Sequence, residues 1–290
     1  MTAKNTTPIV LTIAGSDSGG GAGIQADIKA ISATGSYACS VITALTAQNT
    51  QGVSGIYPIA PEFVAQQLDA VFTDLNIQAV KIGMLSDLNV IKTVVTKLKQ
   101  YQPKFLIVDP VMVATSGDLL LEKSAISTLK SQLLPLANII TPNLPEAAAL
   151  TGEAVPTTEQ QMNALIDKLR ALNTDTVLLK GGHLTNNKNS TDLLISSNTV
   201  TAIPATRIPT NNTHGTGCTL SSAIASYLAQ GNELLHAVTL AKHYITQAIL
   251  HADNLHIGQG HGPVDHFFSK HITSSSQQIT SALPQGEQNG

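Results

Sequence analysis

The chain lacks tryptophan, and aromatic residues make up only 3% of its 290 residues. Surfaces that bind single-stranded nucleic acid stack the bases on aromatic side chains, so this scarcity argues against such a surface. The formal net charge of −3 provides no attraction for nucleic acid or for an acidic membrane. The composition therefore predicts neither a nucleic-acid partner nor a membrane partner.

Cysteine is also rare, because Cys39 and Cys218 are the only two in the sequence. Two cysteines build no disulfide framework, which fits a reducing compartment. The apolar run over residues 8–15 stops before Asp17 and is too short for a membrane span, and a cleavage-type signal segment is missing. We therefore expect a cytoplasmic protein.

Several common catalytic signatures are missing. The sequence contains no G-x-x-x-x-G-K-[ST] phosphate-binding loop, no H-R-D or D-F-G protein-kinase element and no His-Glu-x-x-His zinc motif. The spacing of His236, His243 and His251 is typical of one solvated helix face rather than of a zinc site. An ATP-dependent activity would therefore need a different phosphate-binding architecture.

Apolar runs of strand length alternate with segments whose apolar residues recur at helical spacing. This order is typical of a parallel sheet covered on both faces by helices. Residues 192–196 and 200–203 flank a Ser-Asn-Thr turn and predict a hairpin, which adds an antiparallel edge. The predicted parallel strands are residues 9–14, 38–47, 79–82, 105–108, 138–140 and 177–179, and the two last helices are residues 216–229 and 234–253.

We expect one domain over residues 1–268, because no linker divides the chain and this length can bury a large core. From residue 269 to residue 290, Ser, Gln, Thr and Gly dominate and no apolar period survives. This composition predicts a disordered C-terminal tail.

The loop over residues 212–218, Asn-Thr-His-Gly-Thr-Gly-Cys, precedes a predicted helix. Amides at a helix start lack helical acceptors and attract anions, phosphate above all. The helix dipole could also lower the pKa of Cys218 and make it a base. The alternative is a glycine-rich turn followed by a packing cysteine whose amide alone matters.

A second glycine-rich loop over residues 15–23 follows the first strand and opens a helix. Gly21-x-Gly23-x-x-Ala26 matches a dinucleotide fingerprint only weakly, because Val41 and Ile42 stand where an acidic residue is expected. A backbone-lined pocket for a small flat substrate explains the glycines better. A mobile loop is the alternative.

Polar side chains follow other predicted strands, at the sheet edge where ligands of parallel sheets collect. Asp109 could hold Mg²⁺ or cap a turn, and Lys180 could neutralise a transferring phosphoryl group or lie on the surface. Asn143 and Glu146 form a capping-box pattern at a helix start, while Glu146 could equally reach a metal.

In their order along the chain, these motifs closely resemble the bacterial hydroxymethylpyrimidine/phosphomethylpyrimidine kinases of thiamine biosynthesis, within the ribokinase-like superfamily. The resemblance runs from about residue 9 to residue 268. The segments that carry it are residues 14–17, 20–27, 47–50, 81–85, 109–112, 141–147, 180–183 and 212–218.

The resemblance implies a ribokinase-like three-layer α/β/α sandwich with a mostly parallel central sheet, usually a homodimer. It implies phosphorylation, with ATP and Mg²⁺, of 4-amino-5-hydroxymethyl-2-methylpyrimidine and then of its monophosphate. Cys218 stands where most of the superfamily has Asp, a departure typical of this branch and of some pyridoxal kinases.

The resemblance also implies roles for individual residues. The expected catalytic residues are Cys218, Lys180 and Asp109, and the expected metal residues are Asp109 and Glu146. The expected contacts of ATP and its phosphates are Gly215, Thr216, Gly217, Asn143 and Lys180. The expected pyrimidine contacts are Gln48, Gly15, Ala22, Asp27, Met84 and Val111.

Three other functions compete with this one. A pyridoxal or pyridoxine kinase on the same scaffold would also act on a hydroxymethylated six-membered heterocycle. An NAD-type oxidoreductase lacks its expected acidic residue near Val41. A non-catalytic pyrimidine sensor would need neither Lys180, Asp109 nor Cys218.

Overall fold

The computed structural model describes residues 7–112, 123–184 and 188–270. Strands and helices alternate along the chain as the apolar pattern predicts. The strands are β1 (Ile9–Asp17), β2 (Tyr37–Asn49), β3 (Gly52–Pro58), β4 (Ala79–Ile82), β5 (Phe105–Val108), β6 (Ile139–Ile140), β7 (Val177–Leu179), β8 (Asp192–Ile195) and β9 (Val200–Ile203). The helices are α1 (Gly23–Ala33), α2 (Pro61–Asp74), α3 (Leu88–Tyr101), α4 (Lys123–Thr128), α5 (Leu144–Thr151), α6 (Glu159–Ala164), α7 (Ile166–Arg170), α8 (Thr216–Ala229) and α9 (Leu234–Leu250).

The strands form one sheet in the order β3-β2-β1-β4-β5-β6-β7-β8-β9. From β2 to β7 the neighbours are parallel, whereas β3, β8 and β9 pair antiparallel at the two edges. The chain leaves β1 toward β2 on one side and returns to β4 on the other. Ligands of open sheets bind at the carboxyl ends of the strands beside such a reversal, so the crevice after β1 and β4 is the expected site.

Helices cover both faces of the sheet, because successive strand residues point to opposite sides. Val10 packs in the core under α1, α8 and α9, and the next residue, Leu11, packs in the core under α2, α3 and α5. The expected three-layer α/β/α sandwich with a mostly parallel sheet is therefore confirmed. Among the described residues, no helix is long and apolar enough to cross a membrane.

Several boundaries differ from the sequence prediction. Strand β1 runs to Asp17 and β2 to Asn49, so the first three residues of the glycine-rich segment over residues 15–23 belong to a strand. Strand β3 was not expected, because its residues are glycine-rich, end in Pro58 and are mostly exposed at the sheet edge. Helix α9 ends at Leu250 instead of residue 253, and a short 3-10 turn over Ala252–Asn254 follows. Residues 271–290 of the predicted tail lie outside the described residues, so the tail stays a prediction.

Candidate active site

A cavity of about 650 Å³ opens at the carboxyl ends of the central strands. Residues from both glycine-rich loops, from the end of β2 and from the start of α5 line it. The sequence-predicted residues among its lining are Gly15, Ala22, Gln48, Met84, Val111, Asn143, Glu146, Lys180, Gly215, Thr216, Gly217 and Cys218. Of the predicted residues, Asp27 and Asp109 do not line the cavity directly.

The start of α8 provides the predicted anion site. Gly215 adopts a left-handed φ of 81°, and a Cβ there would lie only 1.8 Å from the Gly21 carbonyl oxygen, so only glycine fits. The Thr216 amide donates a long bond of 3.3 Å to the Thr213 carbonyl. Gly217 and Cys218 follow in the first turn, where amides have no helical acceptor and can receive an anion.

Asp17 holds the other glycine loop in place. Its carboxylate accepts the amides of Gly19, Gly21 and Ala22 at 2.8, 3.0 and 2.8 Å, and His214 Nε2 lies 2.9 Å from its Oδ2. Burial would raise the pKa of Asp17, but these hydrogen bonds outweigh burial and lower it. The motif analysis gave neither Asp17 nor His214 a role, yet together they join the two loops.

Gln48 points into this junction. Its terminal amide atoms lie 3.1 Å from Thr46 Oγ1 and 3.4 Å from His214 Nε2. Thr46 Oγ1 already donates its hydrogen to the Ser16 carbonyl at 2.8 Å, and His214 Nε2 faces Asp17. We therefore assign the Gln48 amide nitrogen toward Thr46 and its oxygen toward His214. This leaves one N–H and one oxygen lone pair for a ligand.

Lys180 lies where the start of α8 meets the sheet. Its Nζ is 3.0 Å from Asp109 Oδ1, and a Cβ at Gly217 would lie 3.2 Å from the same nitrogen. Burial would lower the pKa of Lys180, but Asp109 and Glu146 raise it, so the side chain is a cation. Burial would likewise raise the pKa of Asp109, but Lys180 and Lys81 lower it.

Glu146 and Asn143 form the predicted capping box at the start of α5. The Asn143 amide donates to Glu146 Oε2 at 2.7 Å, and the Glu146 amide donates to Asn143 Oδ1 at 2.8 Å. Glu146 Oε2 also lies 4.0 Å from Lys180 Nζ. Burial raises the pKa of Glu146 to about 7, with opposing effects from Lys180 and Asp109. Both residues still line the cavity, so capping does not remove them from the site.

Cys218 occupies the predicted place at the start of α8, but the expected lowering of its pKa is wrong. Burial raises the pKa of the thiol to about 11, and the nearby Lys81 ammonium only partly offsets this. Desolvation of the thiolate therefore outweighs the helix dipole. The Gly23 backbone amide lies beside the Cys218 sulfur and partly opposes this rise in pKa.

Asp27 lies in the core instead of at the substrate. Its carboxylate is fully buried and forms an ion pair with Lys81, whose Nζ lies 2.7 and 2.8 Å from its two oxygens. Helix α1 turns Asp27 toward the sheet, where a charge of opposite sign is already placed. The predicted pyrimidine contact of Asp27 is therefore replaced by a buried ion pair with Lys81.

A C-terminal loop links the two ends of the site. The Gly260 amide donates to Thr50 Oγ1 at 3.1 Å, and the Gly262 amide donates to Asn212 Oδ1 at 3.0 Å. A Cβ at Gly258 would lie 2.2 Å from Thr50 Oγ1, so the loop and the end of the β2–β3 hairpin are in direct contact. Motif spacing gave no signal for this contact.

Charged residues that sequence reasoning missed line another part of the cavity. Lys242 Nζ lies 2.7 Å from Asp192 Oδ2, and both side chains are almost fully buried. Arg207 donates to the Gly182 and Leu184 carbonyls. Burial, then Lys180 and Arg207, lowers the pKa of His183. Lys242 and Asp192 are far apart in the sequence, so motif spacing does not predict that they form an ion pair.

The three histidines at helical spacing do not share one solvated helix face, because His251 follows the end of α9 and is half-buried. His236 and His243 are exposed on α9, and His251 stacks on Phe268 with ring centroids 5.5 Å apart. Within residues 7–112, 123–184 and 188–270, no group of three or more His, Cys, Asp or Glu side chains could hold a metal by itself.

Comparisons with known proteins show the family of this chain. Phosphomethylpyrimidine kinase is the family that matches residues 17–265. The chain is 52% identical over 261 residues to the hydroxymethylpyrimidine/phosphomethylpyrimidine kinase of Rhizobium meliloti, covering 90% of this chain and 97% of that protein.

Solved structures of kinases are also similar to this chain. Phosphomethylpyrimidine kinase from Clostridium difficile 630 is 47% identical with a TM-score of 0.73, covering 83% of this chain and 99% of that one. Pyridoxal kinase from Bacillus subtilis, in a complex with ADP, is 34% identical with a TM-score of 0.85. The match covers 91% of this chain and 99% of that one. The chain belongs to the phosphomethylpyrimidine kinase family.

Proposed function

We propose that the protein is an ATP-dependent kinase that phosphorylates hydroxymethylpyrimidine and then phosphomethylpyrimidine, in thiamine biosynthesis. The observation that carries this proposal is the position of Lys180, whose Nζ lies beside Gly217 in the first turn of α8. One cavity therefore combines a fixed cation with helix-start amides, and Gln48 lines the same cavity. Relatives with these names match 90% and 83% of this chain.

Phosphoryl transfer depends on positioning and on charge stabilisation. The hydroxyl oxygen of the pyrimidine forms a bond to the γ-phosphorus of ATP while the bond to ADP breaks. The amides of Gly217 and Cys218 and the Lys180 ammonium face the oxygens of the transferring group. Because these donors are already in place, they cost little reorganisation when charge develops.

Asp109 and Glu146 suit a divalent cation in the chemistry of their donors. The capping bond uses Glu146 Oε2 and not Oε1, and Asp109 Oδ2 faces Gly217. Carboxylates that reach a cation directly or through water are typical of Mg²⁺ sites with phosphate ligands. When bound, Mg²⁺ would neutralise phosphate charge; Lys180 supplies a second positive charge from the protein itself.

The product assay tests the proposal directly. Purified protein with Mg²⁺, ATP and hydroxymethylpyrimidine is expected to yield the monophosphate and then the diphosphate, detected by mass spectrometry. Pyridoxine, assayed side by side, tests the alternative suggested by the similarity to a pyridoxal kinase. Preferential phosphorylation of pyridoxine would replace the proposal with that alternative, and no phosphorylated product at all would refute both.

Gln48 provides the test of pyrimidine recognition. We expect Gln48→Leu to lower kcat/KM for the pyrimidine about tenfold to a hundredfold, because an unmade buried hydrogen bond costs roughly 1–3 kcal/mol. The KM for ATP should stay near the wild-type value. Gln51→Leu, an exposed residue three positions further on, is the control. An unchanged kcat/KM for the pyrimidine in Gln48→Leu would remove Gln48 from the substrate site.

We further propose that the thiolate form of Cys218 accepts the proton of the attacking hydroxyl. With a pKa of about 11, only about a thousandth of the thiol is ionised at pH 8, and that fraction rises about tenfold per pH unit. The buried site favours the neutral thiol that proton transfer produces. The competing role leaves catalysis to the Cys218 amide, which a side-chain substitution preserves.

These two roles predict different pH profiles. If the thiolate is the base, kcat/KM of the wild type should rise about tenfold per unit between pH 8 and 9.5. Cys218→Ala should lose that slope and on the order of 10² in rate, whereas Cys39→Ala should behave as wild type. A Cys218→Ala kcat within about threefold of wild type, with affinity intact, would assign catalysis to the amides.

We also propose a homodimer formed through the β2–β3 hairpin, in the cytoplasm, where the two free cysteines stay reduced. Leu45 and Tyr57 face each other across this strand pair and are 46% and 71% exposed. Phe63, at the start of α2, is 55% exposed. Apolar side chains beside an open strand edge are typical of an interface between copies of a chain.

Light scattering coupled to gel filtration tests this assembly. We expect a mass twice the 30.3 kDa of one chain. The double variant Leu45→Asp/Tyr57→Asp should shift the protein to the monomer, because buried unpaired carboxylates oppose association. Leu250→Asp, at an exposed apolar position at the end of α9, is the matched control. A monomeric wild type would refute the proposal.

A further inference from the structure

A fully buried polar cluster lies under the catalytic cavity. It consists of Lys81 from β4, Asp27 from α1, Thr12 from β1 and Ser222 from α8, all of them without exposed surface. Thr12 Oγ1 donates to Asp27 Oδ2 at 2.6 Å, and Ser222 Oγ donates to Asp27 Oδ1 at 2.8 Å. With the Lys81 ion pair, the Asp27 carboxylate thus receives hydrogen bonds from three elements.

The cluster lies one helical turn below the reactive groups. Gly23 and Asp27 are four residues apart on α1, and Cys218 and Ser222 are four residues apart on α8. Residues at this spacing lie one above the other on the same face of a helix. The Ser222–Asp27 bond and the contact of the Gly23 amide with the Cys218 sulfur are therefore successive contacts of the same two helices.

Lys81 extends this cluster toward the cavity. A Cβ at Gly83 would lie 2.8 Å from Lys81 Nζ, so the side chain runs along the sheet toward the carboxyl end of β4. Burial alone would lower the pKa of Lys81, but Asp27 raises it, which keeps the ammonium charged. This fixed charge also acts on Asp109 and Cys218.

We propose that Asp27, Lys81 and Ser222 are positioning residues for phosphoryl transfer, which set the first turn of α8 and the Cys218 sulfur against the glycine loop. The expected effect on turnover rests on the proposed kinase function. The expected effect on the position of the Cys218 sulfur does not. None of the three residues touches the substrate.

A purely structural role predicts something different. If the cluster served the fold alone, the loss of one of its hydrogen bonds would lower the stability of the protein and leave the rate of the reaction unchanged. Helix α8 offers a matched comparison, because Ser226 lies one turn further from the cavity. It is also fully buried and donates to Ser36 Oγ at 2.8 Å. Ser222→Ala and Ser226→Ala remove the same group from the same helix at different distances from Cys218.

The experiment measures turnover, stability and thiol reactivity for both variants in a Cys39→Ala background, which leaves Cys218 as the single thiol. Both variants should lose a similar few degrees of melting temperature. Ser222→Ala should lower kcat about tenfold with both KM values nearly unchanged, since a displacement on the order of 1 Å can cost up to 10²-fold. The rate of Cys218 alkylation by iodoacetamide should change at least about threefold in Ser222→Ala, while Ser226→Ala stays within about twofold of the parent in both readouts.

Equal kcat values and equal alkylation rates in the two variants would overturn the proposal, and so would a loss of turnover in Ser222→Ala without a change in alkylation. If Ser222→Ala does not fold, Asp27→Asn/Lys81→Met removes both charges. The new carboxamide oxygen can accept from one of the Thr12 and Ser222 hydroxyls, and its NH2 group can donate to the other. Unchanged alkylation in this variant likewise refutes the inference. A parent protein without kinase activity refutes the proposed function, whereas the alkylation comparison still decides the geometry.

Discussion

The close packing of the glycine loop against the start of α8 is the constraint on which the whole site depends. At Gly215, the left-handed backbone and the nearby Gly21 carbonyl leave no room for a side chain. This approach decides where the first turn of α8 begins and brings His214 to Asp17. The charged groups around Lys180 then surround the start of α8. The amides there can bind a ligand because the first amides of a helix have no acceptor within the helix.

The sequence predicts much of this because the relevant signals are local. Apolar runs locate the strands. Gln48 lies at the carboxyl end of β2 and Lys180 directly after β7, so the parallel topology alone brings them to one edge of the sheet. Asn143 and Glu146 are recognisable because a capping box lies within four consecutive residues. Strand β3 was not predicted because an exposed edge strand with glycine and proline lacks the apolar pattern of a buried strand.

The parts that the sequence does not predict depend on burial and on distant pairs. Asp27 meets Lys81 from 54 positions away, and His214 meets Asp17 from 197 positions away. No local spacing distinguishes a helix carboxylate that faces the core from one that faces a ligand. For Cys218, the helix dipole can be read from the sequence, whereas the larger desolvation effect depends on the packing around the sulfur.

The contact between Thr50 and the C-terminal loop has a consequence for how the enzyme behaves on dilution. The β2–β3 hairpin carries Gln48 on its cavity side and the exposed Leu45–Tyr57 pair, and Gly258 and Gly260 press on its end. Through Gly262 and Asn212, the same loop reaches the turn that precedes α8. In the dimer proposed for this hairpin, loss of the neighbouring copy would remove the contacts that hold this side of the cavity in place. Specific activity would therefore depend on protein concentration.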